Sequence, residues 1–214
     1  MTKAKEGQVV RQVALDISEE VYDKLRSRGV LILDGKGVDV EESGIFYRDL
    51  FFLVMSGWTK ERPIWILLNS PGGGVNQGFA ICDAIRAFTQ EGYTINIVGL
   101  GEVSSVAAAI LQTGTRRYAL PTTQFLLHQV SDEHVFLKEE MTQTEERAAE
   151  KKRINTILCA IIVERVGMDT VEFLAKVKKT DLFMSAQEAL TFGKHGLIDE
   201  ICATFPFMDA LEKA

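Results

Sequence analysis

The sequence predicts an α/β fold with a mostly parallel sheet, and three observations lead to that prediction. Short apolar runs of strand type alternate with segments of helical periodicity along most of the chain. Two of the apolar runs end in glycine-containing turns that lead directly into helices. With 214 residues, 46% of them hydrophobic and 25% charged, the chain can bury one sizeable core without disulfides or a structural metal.

The same patterns place the individual elements. The expected strands are Val30–Leu33, Ile64–Leu68, Thr94–Val98, Arg117–Leu120, Gln124–His128 and Leu197–Ile201. The expected helices are Ser18–Arg26, Ser43–Met55, Val75–Phe88, Ser105–Gln112, a long one over Phe136–Val166, Thr170–Val177 and Ser185–Phe192. Residues 1–17 are polar at first and are expected to form an N-terminal arm, and residues 18–214 a single domain.

Composition excludes several classes of function. The net charge of -6 argues against nucleic acid as the main partner, because phosphate binding needs clustered Lys and Arg. The three cysteines, Cys82, Cys159 and Cys202, fit neither a zinc pattern nor a disulfide framework, so neither a zinc site nor disulfide bonds are expected. No secretory signal follows the first residues, and the apolar stretches are shorter than the ~20 residues of a membrane helix. A cytoplasmic protein without membrane contact is expected.

A glycine-rich turn follows the second expected strand, in LLNSPGGGV at residues 67–75. Glycines permit positive φ angles and close backbone approach, and free amides beside a helix N-terminus can stabilise a negative oxygen. An ordinary strand-to-helix turn and a phosphate site are the alternatives. The stretch is neither a Walker A motif nor GxGxxG, which disfavours phosphate.

Two serines stand at the second strand-to-helix turn, in VGLGEVSSVAAAIL. A serine at this place lies where the helix dipole and the free amides favour an oxyanion, which suits a nucleophile. The alternative is that Ser104 or Ser105 only caps the helix.

The sequence also contains a candidate general base and a candidate carboxylate. His128 ends a strand that should be buried, whereas His134 and His195 lie in polar segments and are expected at the surface. Asp181 precedes a helix and could equally be a solvated loop residue. Together with the two turns, these residues supply a nucleophile, a base, an orienting acid and amide donors, as acyl transfer requires.

Four ordered motifs resemble the family of Clp protease proteolytic subunits (ClpP). They are NSPGG at Asn69–Gly73, GEVSS at Gly101–Ser105, PTTQFLLHQ at Pro121–Gln129, and DLFMSAQEA at Asp181–Ala189 followed by GLID at Gly196–Asp199. The resemblance covers roughly residues 18–202. It implies a ClpP/crotonase-like single domain in which helices flank the sheet and one long helix protrudes.

The resemblance also implies roles for individual residues. Ser105, and not Ser104, would be the nucleophile of a serine endopeptidase, with His128 as the base and Asp181 as the orienting carboxylate. The backbone N–H groups of Gly72 and Val106 would form the oxyanion hole. The family usually has Met after the nucleophile, where this chain has Val106.

Partners are implied in the same way. Members of the family form two stacked seven-membered rings of identical subunits, which enclose the active sites. An ATP-driven (AAA+) unfoldase feeds unfolded polypeptide substrates into the chamber. The peptidase subunit itself binds neither nucleotide nor metal.

Two alternatives remain at the level of sequence. After His128 the family has a glycine-rich strand, whereas this chain has the acidic VSDEHVFLKEE without glycine. That departure suggests a ring subunit with a structural role and little or no peptidase activity. A crotonase-type acyl-CoA hydratase or isomerase would share the fold and the glycine-rich turns, but it needs neither Ser105 nor His128.

Overall fold

The computed structural model describes residues 19–34, 37–130, 141–177 and 180–208. Its strands are β1 (Val30–Asp34), β2 (Ile64–Ser70), β3 (Ile95–Ser104), β4 (Arg117–Ala119), β5 (Gln124–Leu127), β6 (Leu182–Ser185) and β7 (Glu200–Ile201). Its helices are α1 (19–27), α2 (Val40–Met55), α3 (Val75–Gln90), α4 (Val106–Gln112), α5 (Met141–Val166), α6 (Thr170–Val177) and α7 (Ala186–Leu190). In these ranges, no helix is both long and apolar enough to cross a membrane.

The sheet is mainly parallel, as predicted. The path β1-β2-β3-β4-β7 contains only parallel pairs, and β5 pairs in parallel with β3. The pair β5–β6 is antiparallel. The carboxyl ends of parallel strands meet at one edge of a sheet, so the turns after β2 and β3 lie side by side.

Strand β3 has different neighbours in its two halves. Its first half, through Gly99, pairs with β4, and its last three residues, from Glu102, pair with β5. The register against β2 also shifts, between Leu68 and Ser70. Gly101 lies in this change of direction with a φ of 63°, where a side chain would be strained. The bend carries the end of β3 toward β5 and β6.

The core lies unequally on the two faces of the sheet. The larger cluster is contributed by strand residues of one face and by helices α2 to α7. The smaller cluster, on the other face, contains Trp65, Val98, Tyr118 and Phe207, with Leu25 of α1 beside them. Helices and apolar side chains therefore cover both faces, which is why β2 reads as a continuous apolar run.

A buried arginine joins β4 to the turn before β7. The Arg117 side chain is 2% exposed, and its guanidinium forms an ion pair with Asp199. It also donates to Gln112 Oε1 at 2.7 Å and to the carbonyl oxygen of Gly196 at 2.9 Å. Burial tends to raise the pKa of Asp199, but hydrogen bonds from Arg117 outweigh this and hold the pKa below its ordinary value.

The structure differs from the predicted elements in several places, and the predicted strand Leu197–Ile201 is reduced to Glu200–Ile201. Helix α2 begins at Val40 rather than Ser43, because the Asp39 side chain accepts a hydrogen bond from the Glu42 N–H and caps it. Strand β3 continues six residues beyond the predicted end at Val98, through two glycines. Strand β6 was not predicted. The N-terminal arm and residues 136–140 of the predicted long helix lie outside the described residues.

Candidate active site

The glycine-rich turn after β2 is held by the backbone of a single residue. The Val38 N–H donates to the Gly72 carbonyl oxygen at 2.6 Å, and the Gly74 N–H donates to the Val38 carbonyl oxygen at 2.7 Å. A Cβ on Gly73 would lie 2.7 Å from Val38 N. This turn therefore requires glycine at position 73 for close approach, as the sequence suggested for the triplet.

Ser105 has a strained backbone between β3 and α4. Its φ of 56° is the one positive value among the non-glycine residues that the structure describes. Its N–H donates to the Leu126 carbonyl oxygen at 2.8 Å, and its side chain makes no capping bond to α4. A strained backbone persists only where the surrounding structure holds it in place, and such residues are concentrated at functional sites. The capping alternative for Ser105 is therefore wrong.

The Gly72 turn and the Ser105 side chain are in direct proximity. A Cβ placed on Gly72 would lie 2.6 Å from Ser105 Cβ and 3.2 Å from Ser105 Oγ. The Gly72 φ of 95° also lies in the left-handed region that favours glycine. Two motifs that are more than thirty residues apart in sequence thus meet at the hydroxyl of Ser105.

Ser104 is occupied elsewhere. Its side chain is 1% exposed, and its hydroxyl donates to Glu102 Oε1 at 2.7 Å. The Glu102 N–H in turn donates to Asn69 Oδ1 at 3.1 Å, and Asn69 Nδ2 donates to Asp34 Oδ1 at 2.9 Å. This network ties the carboxyl ends of β1, β2 and β3 together. Of the two serines, Ser105 alone has a half-exposed side chain beside the glycine turn.

Val106 is the first residue of α4, a helix that is buried throughout. The N–H groups of the first helical turn have no partner within the helix, so the Val106 amide is available at this end. Its side chain packs so closely on α3 that a Cβ on Gly78 would lie 2.1 Å from Val106 Cγ2. Gly78 therefore makes room for a branched residue at the position after the serine.

Strand register brings His128 and Asp181 to the same end of the sheet as Ser105. Ser104 is paired with Leu126 across β3 and β5, and Leu127 is paired with Leu182 across β5 and β6. His128 is the residue after Leu127, and Asp181 is the residue before Leu182. Because β5 and β6 are antiparallel, these two backbones leave the ladder at neighbouring points.

The side chains of the three predicted catalytic residues are not connected. His128 is half-buried and Asp181 is exposed. In the described part of the chain, no hydrogen bond joins the side chains of Ser105, His128 and Asp181. Catalytic hydrogen bonds are often long or poorly aligned before substrate binds, so the backbone positions are the stronger indication. His195 is exposed in a turn, as predicted, and His134 lies outside the described residues.

Sequence reasoning missed several residues that build the site. The Gly72 N–H donates to Ser70 Oγ at 3.2 Å, so that amide has an internal partner. The Gly72 carbonyl faces Val38, and a trans peptide directs the following N–H, that of Gly73, the opposite way. Gly73 is thus a second candidate amide in this turn. Gly78 could have been noticed from the sequence, because a glycine inside a helical pattern often marks a place where another element packs closely.

No group of three or more His, Cys, Asp or Glu side chains that could hold a metal ion occurs in the ranges that the structure describes.

The fold and the serine turn together define a class. A mainly parallel α/β sheet flanked by helices, with a serine turn beside a glycine-rich turn at the carboxyl ends of its strands, agrees with the fold that the resemblance to Clp protease proteolytic subunits implies. The chain belongs to the Clp protease family, whose family model matches residues 14–205.

Curated relatives agree with this assignment. The chain is 30% identical over 187 residues to the ATP-dependent Clp protease proteolytic subunit 2 of Chlamydia trachomatis serovar D, and the match covers 86% of each chain. The protein of the same name from Chlamydia trachomatis serovar A gives the same identity and coverage. The resemblance inferred from the four motifs is confirmed at the level of the family.

Proposed function

We propose that this chain is the peptidase subunit of an ATP-dependent Clp-type protease, and that it hydrolyses peptide bonds of unfolded polypeptides. The strained backbone of Ser105, in contact with the Gly72 turn, is the observation that carries the proposal. A serine that only caps a helix would not need a φ of 56° or a free hydroxyl. The crotonase-type alternative is set aside, because the chain belongs to the Clp protease family.

In the proposed mechanism, Ser105 Oγ attacks the peptide carbonyl carbon while His128 accepts the hydroxyl proton. Asp181 orients the imidazole and stabilises its charged form. His128 then protonates the leaving amine as the C–N bond breaks, and an acyl-enzyme remains. Water, deprotonated by His128, attacks the ester carbon, and the proton returns to Ser105 Oγ as the ester bond breaks.

The oxyanion hole is proposed at the amides of Gly72 and Val106. Val106 contributes the first amide of α4, at the positive end of the helix dipole. On the other side, an oxyanion would compete with Ser70 Oγ for the Gly72 N–H, and the 3.2 Å bond between them is long for a hydrogen bond. The Gly73 N–H is the neighbouring donor in the same turn.

We propose that the chain works as a homo-oligomer of two stacked seven-membered rings, served by an AAA+ unfoldase. An exposed apolar face on α2 supports self-association, because monomeric proteins rarely expose large apolar patches. Phe51, Phe52 and Met55 are 52%, 55% and 84% exposed there, and they line an apolar hollow with Ala84 of α3. The three buried free cysteines fit the reducing cytosol.

The serine assignment is tested with a fluorophosphonate probe, which bonds covalently to an activated serine. The wild-type chain and Ser104→Ala are expected to react, and Ser105→Ala is not. Peptidase activity should fall in Ser105→Ala by several powers of ten, as loss of a nucleophile requires. Labelling of Ser105→Ala at the wild-type rate would refute the assignment. Light scattering of the same samples measures the ring mass.

A ring subunit with a structural role is the second candidate. The exposed Asp181 carboxylate, which makes no hydrogen bond to His128 within the described residues, favours it. A large oligomer whose wild-type form neither reacts with the probe nor cleaves peptides would establish this candidate instead. The acidic segment VSDEHVFLKEE, which also suggests this candidate, lies outside the described residues except for its first residue, Val130.

A further inference from the structure

One side chain of the long helix α5 holds the chain just beyond the proposed base. Asn155 Oδ1 accepts a hydrogen bond from the Val130 N–H at 3.0 Å. Val130 also packs its half-buried side chain against the main core cluster. Both the backbone and the side chain of Val130 are therefore fixed, two residues after His128.

His128 consequently lies on a short span with an anchor at each end. Before it, Leu127 is 1% exposed and is paired with Leu182 in the sheet. After it, only Gln129 separates His128 from Val130. A span of two residues between two fixed points leaves the backbone few conformations, so the bond to Asn155 restricts where the imidazole can lie.

Asn155 lies one helical turn before the apolar stripe on α5. Leu158, Cys159 and Ile162, which are three, four and seven residues further on, share one helix face and are 2–3% exposed. Through this buried half, α5 packs against α4, the helix that follows Ser105. Helix α5 thus contacts both the chain that follows the proposed base and the helix that follows the proposed nucleophile. A hydrocarbon side chain at position 155 could not accept the hydrogen bond from the Val130 N–H.

We infer that Asn155 is a positioning residue for catalysis, which sets the location of His128 relative to Ser105 by binding the Val130 N–H. The inference rests on the proposed peptidase function. The role is one of geometry: Asn155 touches neither the substrate nor the reacting atoms, and its removal should slow the chemical step more than it weakens substrate binding.

The test compares three variants of the full chain with the wild type. Asn155→Leu removes the acceptor with little change in shape, Asn155→Asp keeps an acceptor oxygen, and Thr156→Ala is a control at the next, exposed position of α5. Steady-state cleavage of a fluorogenic peptide gives kcat and KM separately. Thermal unfolding and light scattering verify the fold and the assembly of every variant.

We expect kcat of Asn155→Leu to fall about tenfold, because a positioned general base supplies roughly 10²–10⁴-fold and only part of its positioning is lost. Its KM should stay within about twofold, since substrate contacts are untouched. Asn155→Asp should recover most of kcat, and Thr156→Ala should match the wild type.

Two outcomes would overturn the inference, and they differ from failure of the proposed function. An active wild type together with unchanged kcat in Asn155→Leu would refute the role of Asn155 and leave the peptidase intact. The same holds if Asn155→Asp is as slow as Asn155→Leu. A wild type without cleavage or probe reaction would refute the proposed function and this inference together.

Discussion

Substitution of three glycines by alanine distinguishes effects on the stability of the fold from effects on the reactivity of the candidate site. Gly44 lies inside α2, and a Cβ there would meet nothing within 4 Å. Gly57 follows α2 with a φ of 92°, and a Cβ there also meets nothing. Gly72 combines a φ of 95° with a Cβ position 2.6 Å from Ser105 Cβ and 2.8 Å from the Ser104 carbonyl oxygen.

The expected stabilities follow from these differences. Gly44→Ala should stabilise the chain by about 0.5–1 kcal/mol, because alanine is the better helix former. Gly57→Ala should destabilise it by about 1–2 kcal/mol, the cost of the left-handed conformation. Gly72→Ala carries that cost and a further ~1–3 kcal/mol of overpacking. In a domain of this size, ~1 kcal/mol corresponds to roughly 2–4 °C in Tm.

The rate of reaction with a serine-directed probe should differ among the three variants more than their unfolding free energies do. Gly72→Ala displaces either the turn or the Ser105 side chain, and loss of one oxyanion donor costs about 10²–10³-fold in kcat. Gly44→Ala and Gly57→Ala should react with a fluorophosphonate probe as fast as the wild type. Differential scanning calorimetry and the labelling rate are measured on the same preparations. Wild-type labelling of a folded Gly72→Ala would refute the proposed contact between the two motifs.

Two further predictions concern the fold. Asp199→Asn should destabilise the chain at pH 7 by about 3 kcal/mol, because it leaves the buried Arg117 without its carboxylate. Since the folded pKa of Asp199 is lowered, this contribution is complete above about pH 4 and is lost as the pH falls through the folded pKa, so the difference in unfolding free energy should shrink in acid. Glu200→Gln, in an exposed pair with Arg116, is the control and should change stability by less than ~1 kcal/mol at either pH. Burial raises the pKa of Cys82 to about 12 and that of Cys159 to about 11. Iodoacetamide at pH 8 should therefore leave both thiols unmodified until denaturant is added, and rapid alkylation of either in the native protein would contradict the burial on which the prediction rests.

Much of the fold was accessible from the sequence, because buried parallel strands leave a continuous apolar signal. The runs at Ile64 and Thr94 became β2 and β3, and α6 has the predicted bounds. The signal failed where local pattern and tertiary pairing disagree. The second half of β3 contains Gly101 and Glu102 and resembles a loop, yet its pairing with β5 makes it a strand.

In the candidate site, too, local sequence patterns predicted some features, and contacts between distant segments determine the others. The two strand-to-helix turns were identified because glycines and serines at such places have a physical meaning in the sequence itself, whereas the choice of Ser105 and Gly72 within them came from the resemblance to the family. Strand β6, which carries the chain from Asp181 past β5, was missed because LFMS is too short to be distinguished from the start of a helix. Asn155 makes one hydrogen bond and Val38 makes two, in each case to a distant segment of the chain, and the periodicity of a sequence does not predict such bonds.

The clamp on the glycine-rich turn is made by main-chain atoms of Val38 alone. A hydrogen bond of this kind does not depend on which side chain its residue carries, whereas proline would delete the donor. Related chains can therefore exchange Val38 for other apolar residues that fit its 2% exposed position and still present the turn to the serine unchanged. Substitutions at this position should leave catalysis unchanged unless they introduce proline, which lacks the N–H donor.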